Sequence, residues 1–132
     1  MKYMLDSNIC IYIMKRQPPE VIARAKSHAV GELGVSSISV AELAFGVAKN
    51  KSQRNELGLQ NFLEPLGIAP FGAEAAWRYG ELRALLEGKG TPIGPLDMHI
   101  AAHALALDCV LVTNNEREFK RVPGLKIENW IS

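Results

Sequence analysis

Short hydrophobic segments alternate along the chain with longer segments in which apolar residues recur at helical spacing. The short segments are typical of buried strands, and the longer ones are typical of helices that bury one face. This alternation, without tight hairpin signals, predicts an α/β fold with a mostly parallel sheet covered by helices on both faces. The predicted strands are 2–5, 33–38, a piece near 67–71, 109–113 and 125–130, and the predicted helices are 11–15, 19–29, 40–49, 51–64, 73–90, 96–107 and a short one beginning near 114.

Two of the predicted helices have recognisable capping residues. In the first, Ser7 or Asn8 is placed to accept hydrogen bonds from the free backbone N–H groups of the first turn. In the helix over 40–49, Ser39 and Glu42 match the S-x-x-E capping box, in which each side chain bonds the backbone N–H of the other residue. Glu42 therefore has a structural interpretation beside any chemical one.

Length and composition restrict the class of protein. A chain of 132 residues with 48% hydrophobic residues is expected to form a single domain over 1–132. The formal net charge of +1 excludes a polybasic protein that binds nucleic acid through bulk charge. No apolar run is long enough for a membrane span, so we expect a cytoplasmic protein. Cys10 and Cys109 lie in apolar segments and are interpreted as buried, reduced thiols.

Four acidic residues lie at or near predicted helix starts: Asp6, Glu42, Asp97 and Glu118. The helix macrodipole stabilises a carboxylate there by about 0.3–1 kcal/mol, so capping explains each acid taken singly. Three of the four follow predicted strands, however, and the carboxyl ends of parallel strands line one crevice where ligands bind. Asp97 reaches the same edge from the start of its helix. We therefore expect the four carboxylates to converge.

Converging carboxylates need a cation or shared protons. At an effective dielectric constant near 20, two like charges about 4 Å apart repel by about 4 kcal/mol, which exceeds the macrodipole contribution. Mg²⁺ and Mn²⁺ prefer all-oxygen sites, and Mg²⁺ typically takes one or two carboxylates directly while keeping waters and binding phosphate oxygens. That combination suits phosphodiester hydrolysis.

Polar residues beside the acids have two interpretations. Thr113 and Asn115 are suited to hydrogen-bond a hydrated metal ion or a phosphate, and Asn8 is a further supporting polar residue. All three are also ordinary turn and cap residues. Asn114 is interpreted as a cap of the last short helix.

The segments MLDSN, SSISVAELAFG, GTPIGPLDMHIAAHALAL and LVTNNEREFKRVPGLKIENW together resemble PIN-domain ribonucleases, specifically the VapC toxins of bacterial type II toxin–antitoxin pairs. The resemblance covers nearly the whole chain. It implies an α/β/α sandwich with a parallel sheet and an endoribonuclease activity that depends on Mg²⁺ or Mn²⁺.

The resemblance also implies roles for the acids. Asp6 matches the first acid of the family, Glu42 the acid of the S-x-x-E-L stretch, and Asp97 the acid before the I-A-A helix. Many PIN domains have an aspartate two residues after the strand-end threonine, where this chain has Asn115. Glu118 is expected to supply the missing charge. In this interpretation Asp6 and Asp97 hold the metal, while Glu42 and Glu118 help to bind it or orient the attacking water.

The implied partners are RNA, a second copy of the chain and an antitoxin. Family substrates are structured RNAs, often tRNAs, so we expect cleavage that inhibits translation and growth. The cognate VapB antitoxin would cover the active groove with its C-terminal segment and bind operator DNA through its own domain.

Other interpretations remain open. His99 and His103 are spaced as half of a zinc site, although no H-E-x-x-H glutamate or third ligand accompanies them. Aspartyl-phosphate chemistry also uses an acid after the first strand. This chain has Asp6-Ser7-Asn8, however, where haloacid dehalogenases have D-x-D, and VTNN where response regulators have a lysine at a late strand end. A catalytically silent PIN-like protein that binds RNA or a partner is the third alternative, and the asparagines at 114 and 115 favour it.

Overall fold

The structure, a computed structural model, describes residues 1–131 and forms an α/β/α sandwich, as the sequence predicts. Within those residues no helix has the length and apolar character needed to cross a membrane. The elements in chain order are β1 (Tyr3–Leu5), α1 (Ser7–Lys15), α2 (Pro19–Lys26), β2 (Leu33–Ser36), α3 (Ser37–Asn50), α4 (Gln53–Leu63), β3 (Gly67–Ala69), α5 (Ala73–Gly88), α6 (Pro95–Leu107), β4 (Val110–Val112), α7 (Glu116–Phe119) and β5 (Ile127–Glu128).

The sheet has the strand order β3-β2-β1-β4-β5, and every pairing is parallel. In the centre, Met4 of β1 aligns with Gly34 of β2 on one side and with Leu111 of β4 on the other. From β1 the chain adds β2 and then β3 on one side of the sheet. It then crosses back, so that β4 lies on the opposite side of β1. Strand order therefore reverses between β1 and β4, which is where open parallel sheets bind ligands beyond the carboxyl ends of their strands.

Hydrophobic cores lie on both faces because alternate strand residues point to opposite sides. Met4 and Leu111 pack with α5 and α6, whereas Leu5 and Val112 pack with α1 to α4. Cys10 and Cys109 are buried free thiols, as predicted.

Two predicted helix starts are wrong. The cap of α1 is Asp6, whose Oδ1 accepts a hydrogen bond from the Ile9 N–H at 2.9 Å, rather than Ser7 or Asn8. β2 ends at Ser36, two residues earlier than predicted, and the Ser36 hydroxyl caps α3 by accepting from the Ile38 N–H at 3.0 Å. The expected capping box is therefore absent, since Ser39 and Glu42 both lie inside α3.

The close approach of β2 and β3 requires a glycine at position 34. A methyl group there would lie 2.7 Å from the Gly67 carbonyl oxygen and would also overlap the Met1 side chain. We expect Gly34→Ala to lower Tm by roughly 4–12 °C, because overpacking costs about 1–3 kcal/mol. Gly80→Ala is the matched control, since nothing lies within 4 Å of the added methyl and alanine favours the interior of α5. Equal melting temperatures for the two variants would contradict this account.

Candidate active site

The candidate site lies at the carboxyl ends of β1 and β4. Asp6 follows β1 directly, and its backbone N–H donates to the Val112 carbonyl of β4 at 3.0 Å. Thr113 follows β4, and its backbone N–H donates to the Glu128 carbonyl of β5 at 3.0 Å. The sheet pairing thus continues one residue beyond the strands and fixes the backbone at both positions.

The Asp6 carboxylate is held from several directions and is only 8% exposed. It accepts from the Ile9 N–H, from the backbone N–H of Asn8 and from the Thr113 hydroxyl. Burial raises the pKa of Asp6, these hydrogen bonds partly offset the rise, and the negative charge of Glu42 adds to it. The Asn8 side chain is exposed in the first turn of α1.

Glu42 reaches the site from the second turn of α3. Its Oε1 accepts a hydrogen bond from the Ser7 hydroxyl at 2.8 Å, which leaves Oε2 for other partners. Ser7 was assigned in the sequence only to helix capping. Its position next to Asp6 was the available signal, but its contact with a residue 35 positions away required the tertiary structure.

Asp97, Glu118 and Asn115 form the other half of the site. The Asn115 amide donates to Glu118 Oε2 at 3.0 Å and to Asp97 Oδ2 at 3.4 Å. The Gly94 N–H also donates to Glu118, at Oε1, over 3.4 Å. The Asn115 backbone N–H is fixed in turn by the Thr113 hydroxyl at 3.0 Å. A neutral amide therefore joins two acids at position 115, where the family resemblance leads us to expect an aspartate.

The four predicted acids are close enough to act on one another electrostatically. Burial raises the pKa of Asp97 to about 7, and a hydrogen bond with Glu118 and the negative charges of Glu118, Asp6 and Glu42 contribute. The hydrogen bond from Asp97, together with those from Gly94 and Asn115, lowers the pKa of Glu118. These opposite directions favour Asp97 as the carrier of a proton that the pair shares. Within residues 1–131 no salt bridge to a lysine or arginine neutralises any of the four carboxylates.

The donor set fits a hydrated Mg²⁺ or Mn²⁺ ion. Among the described residues, no three His, Cys, Asp or Glu side chains are grouped closely enough to hold a metal ion by themselves. Mg²⁺ does not require three, because it is commonly held by one or two carboxylates and retains several waters. Oxygen donors that share a proton and form no salt bridge with a lysine or arginine of residues 1–131 match this mode of binding. The positive charge of Arg121 acts on Glu118 from beyond salt-bridge distance and helps to lower its pKa.

The remaining polar residues serve other purposes than those predicted. The Asn114 amide donates to the Tyr12 hydroxyl at 3.0 Å and does not cap α7, so its predicted role was wrong. Tyr12 was not identified from the sequence. His99 Nδ1 contacts the Pro95 carbonyl at 2.6 Å and His103 Nδ1 contacts Ser36, so the two rings bind separate partners and do not form half of a zinc site.

This chain resembles known proteins over nearly its whole length. Residues 3–125 match the family model of the PIN domain. Ribonuclease VapC2 of Haemophilus influenzae is 45% identical over 99% of both chains, and the tRNA(fMet)-specific endonuclease VapC of Salmonella typhimurium is 40% identical over 98% of both. Among solved structures, VapBC2 from Rickettsia felis bound to a promoter DNA fragment superimposes with a TM-score of 0.89 at 43% identity, covering 98% of this chain and 99% of that one. This chain therefore belongs to the PIN-domain family, among the VapC ribonuclease toxins of VapBC toxin–antitoxin systems.

Proposed function

We propose that this chain is a metal-dependent endoribonuclease that hydrolyses phosphodiester bonds in structured RNA, with tRNA as the expected substrate, and so inhibits translation and growth. The observation that carries the proposal is the meeting of acidic side chains at the carboxyl edge of the sheet: Asn115 bonds both Asp97 and Glu118, and the charges of Glu118, Asp6 and Glu42 act on Asp97. The Salmonella relative that is named a tRNA(fMet)-specific endonuclease supports tRNA as the substrate class. The aspartyl-phosphate alternative finds no support in the matched proteins, which are ribonucleases by name.

Asp6 and Asp97 are proposed to hold Mg²⁺ or Mn²⁺, directly or through water. When bound, the ion lowers the pKa of water and compensates the negative charge that develops on the phosphate. The Thr113 hydroxyl and the Ile9 N–H orient the Asp6 carboxylate. Glu42, steadied by Ser7, presents its second carboxylate oxygen to the attacking water and accepts its proton.

The fourth position is proposed to be shared by Glu118 and Asn115. Glu118 contributes negative charge beside Asp97, and the Asn115 amide fixes the separation of the two acids. Both amide N–H bonds of Asn115 are used by these acids, so its side-chain oxygen, which accepts, is the atom suited to bond a metal-bound water. The exposed Asn8 side chain is suited to bond water or a phosphate oxygen.

Incubation of the purified protein with total tRNA tests the activity. Defined fragments are expected with Mg²⁺ or Mn²⁺, none with excess EDTA, and full cleavage again after excess Mg²⁺ is restored. Cleavage that is indifferent to EDTA would refute the metal dependence. RNA binding without fragments under every condition would instead favour a catalytically silent PIN-like protein.

The proposed partners are a VapB antitoxin and a second copy of the chain, in the cytoplasm. A groove of about 890 Å³ runs from Glu42 between α1, α2, α3 and α4, and its lining combines apolar side chains such as Met14 and Phe62 with cationic ones such as Arg16. An extended antitoxin segment with apolar and acidic side chains fits this lining.

The Rickettsia felis VapBC2 complex is bound to promoter DNA, and we propose that this chain reaches operator DNA only through its antitoxin. Trp77, which is 78% exposed on α5, supports a homodimer.

A further inference from the structure

His103 is a buried ionisable residue that the proposed reaction does not use. It lies on the third turn of α6, and its ring is 2% exposed. Its Nδ1 is 2.8 Å from the Ser36 hydroxyl oxygen, and the ring also hydrogen-bonds the Pro70 carbonyl. Phe71 packs against it edge-on, with ring centroids 5.3 Å apart.

The hydrogen bonds of His103 specify one tautomer. A carbonyl oxygen only accepts, so a ring N–H must donate to Pro70, and with that proton on Nε2 the Nδ1 atom accepts from the Ser36 hydroxyl. The Ser36 oxygen is then free to accept from the Ile38 N–H, as observed. Burial lowers the pKa of His103, which favours the neutral ring that this arrangement needs.

These bonds connect the two helices that carry the two halves of the site. Ser36 ends β2 and caps α3, the helix that presents Glu42. His103 lies in α6, the helix that presents Asp97 in its first turn. We infer that His103 is a positioning residue, whose bond to Ser36 sets the separation of the Glu42 and Asp97 carboxylates in the proposed ribonuclease reaction. The inference rests on the proposed function.

A residue that only filled the core at position 103 would not need to be a histidine. The neighbouring buried positions of α6 are apolar: Ile100, Ala101, Ala102 and Ala104. A buried imidazole requires partners for its polar atoms, and it finds them at the carboxyl ends of β2 and β3. A substitution far from the reacting groups can lower the rate by about 100-fold if it shifts those groups slightly. We therefore expect the hydrogen bond between His103 and Ser36 to affect catalysis as well as stability.

The test compares two substitutions at the same position. His103→Leu fills the space without hydrogen bonds, whereas the Oδ1 atom of His103→Asn occupies nearly the place of Nδ1 and can accept from Ser36. All measurements are made well below the Tm of each variant. We expect His103→Leu to lower kcat for tRNA cleavage at least about tenfold with little change in KM. We also expect it to weaken Mn²⁺ binding, measured by calorimetry. His103→Asn should recover most of both losses. Ser36→Ala should reproduce the loss, and the double variant Ser36→Ala, His103→Leu should be no worse than either single one.

Leu86→Ala is the control for lost stability, because Leu86 is fully buried in the apolar core between α5 and α6 and is not one of the proposed site residues. It should lower Tm while leaving kcat and Mn²⁺ binding unchanged. If the parent cleaves tRNA and His103→Leu cleaves it equally fast, or if His103→Asn recovers nothing, the positioning role is refuted and the proposed function stands. If the parent neither cleaves RNA nor binds Mn²⁺, the proposed function fails and this inference fails with it.

Discussion

Asp6→Asn is expected to lower the rate of RNA cleavage by at least about 100-fold while the protein folds as well as its parent. The substitution removes a negative charge that is proposed to hold the metal ion. It keeps the helix start, because asparagine caps helices about as well as aspartate and can still accept from the Ile9 N–H. It also removes one of several like charges that repel one another in the metal-free protein, so the Tm without metal should be equal or higher.

Melting curves with and without Mg²⁺ separate metal binding from catalysis. Mg²⁺ should raise the Tm of the parent, because a ligand that binds only the folded state stabilises it, and should leave the Tm of the Asp6→Asn protein nearly unchanged. Asp108→Asn is the matched control. Asp108 is an exposed acid that bonds Lys126 at 3.1 Å and ends α6 with a φ of 52°, a conformation that asparagine also tolerates. A folded Asp6→Asn protein with full activity would refute the proposed metal site.

Gly58→Trp is expected to weaken neutralisation by the antitoxin at least about 100-fold without changing the cleavage rate in its absence. Gly58 lines the groove from α4, and a Cβ added there meets no atom within 4 Å, so a larger side chain can extend from this position without a clash at its base. Central interface positions commonly contribute several kcal/mol of binding free energy, and 2.7 kcal/mol corresponds to about 100-fold in affinity.

The measurement is the rate of tRNA cleavage by each variant as the proposed VapB antitoxin is added, and the readout is the antitoxin concentration that halves the rate. Gly80→Trp adds the same side chain at an open glycine of α5, outside the groove, and should be neutralised like the parent. Equal neutralisation of both variants would place the antitoxin on another surface.

Local patterns account for most of what could be predicted. Hydrophobic periodicity depends on neighbouring residues, so the order of strands and helices and the parallel sheet follow from it. Element ends were predicted less well. The strand over 33–38 stops at Ser36 because the Ser36 hydroxyl caps α3, and the S-x-x-E pattern three residues later indicated a capping box that is not there.

The sequence by itself determined which residue types meet at the carboxyl edge of the sheet, since Asp6 and Thr113 directly follow strands that are recognisable from their own residues. Only the tertiary structure decided how those residues are held. Ser7 bonds Glu42 across 35 positions, and His103 bonds Ser36 across 67. The hydrophobic pattern of the sequence does not predict such contacts, because they depend on the strand order of the sheet and on the packing of helices against it.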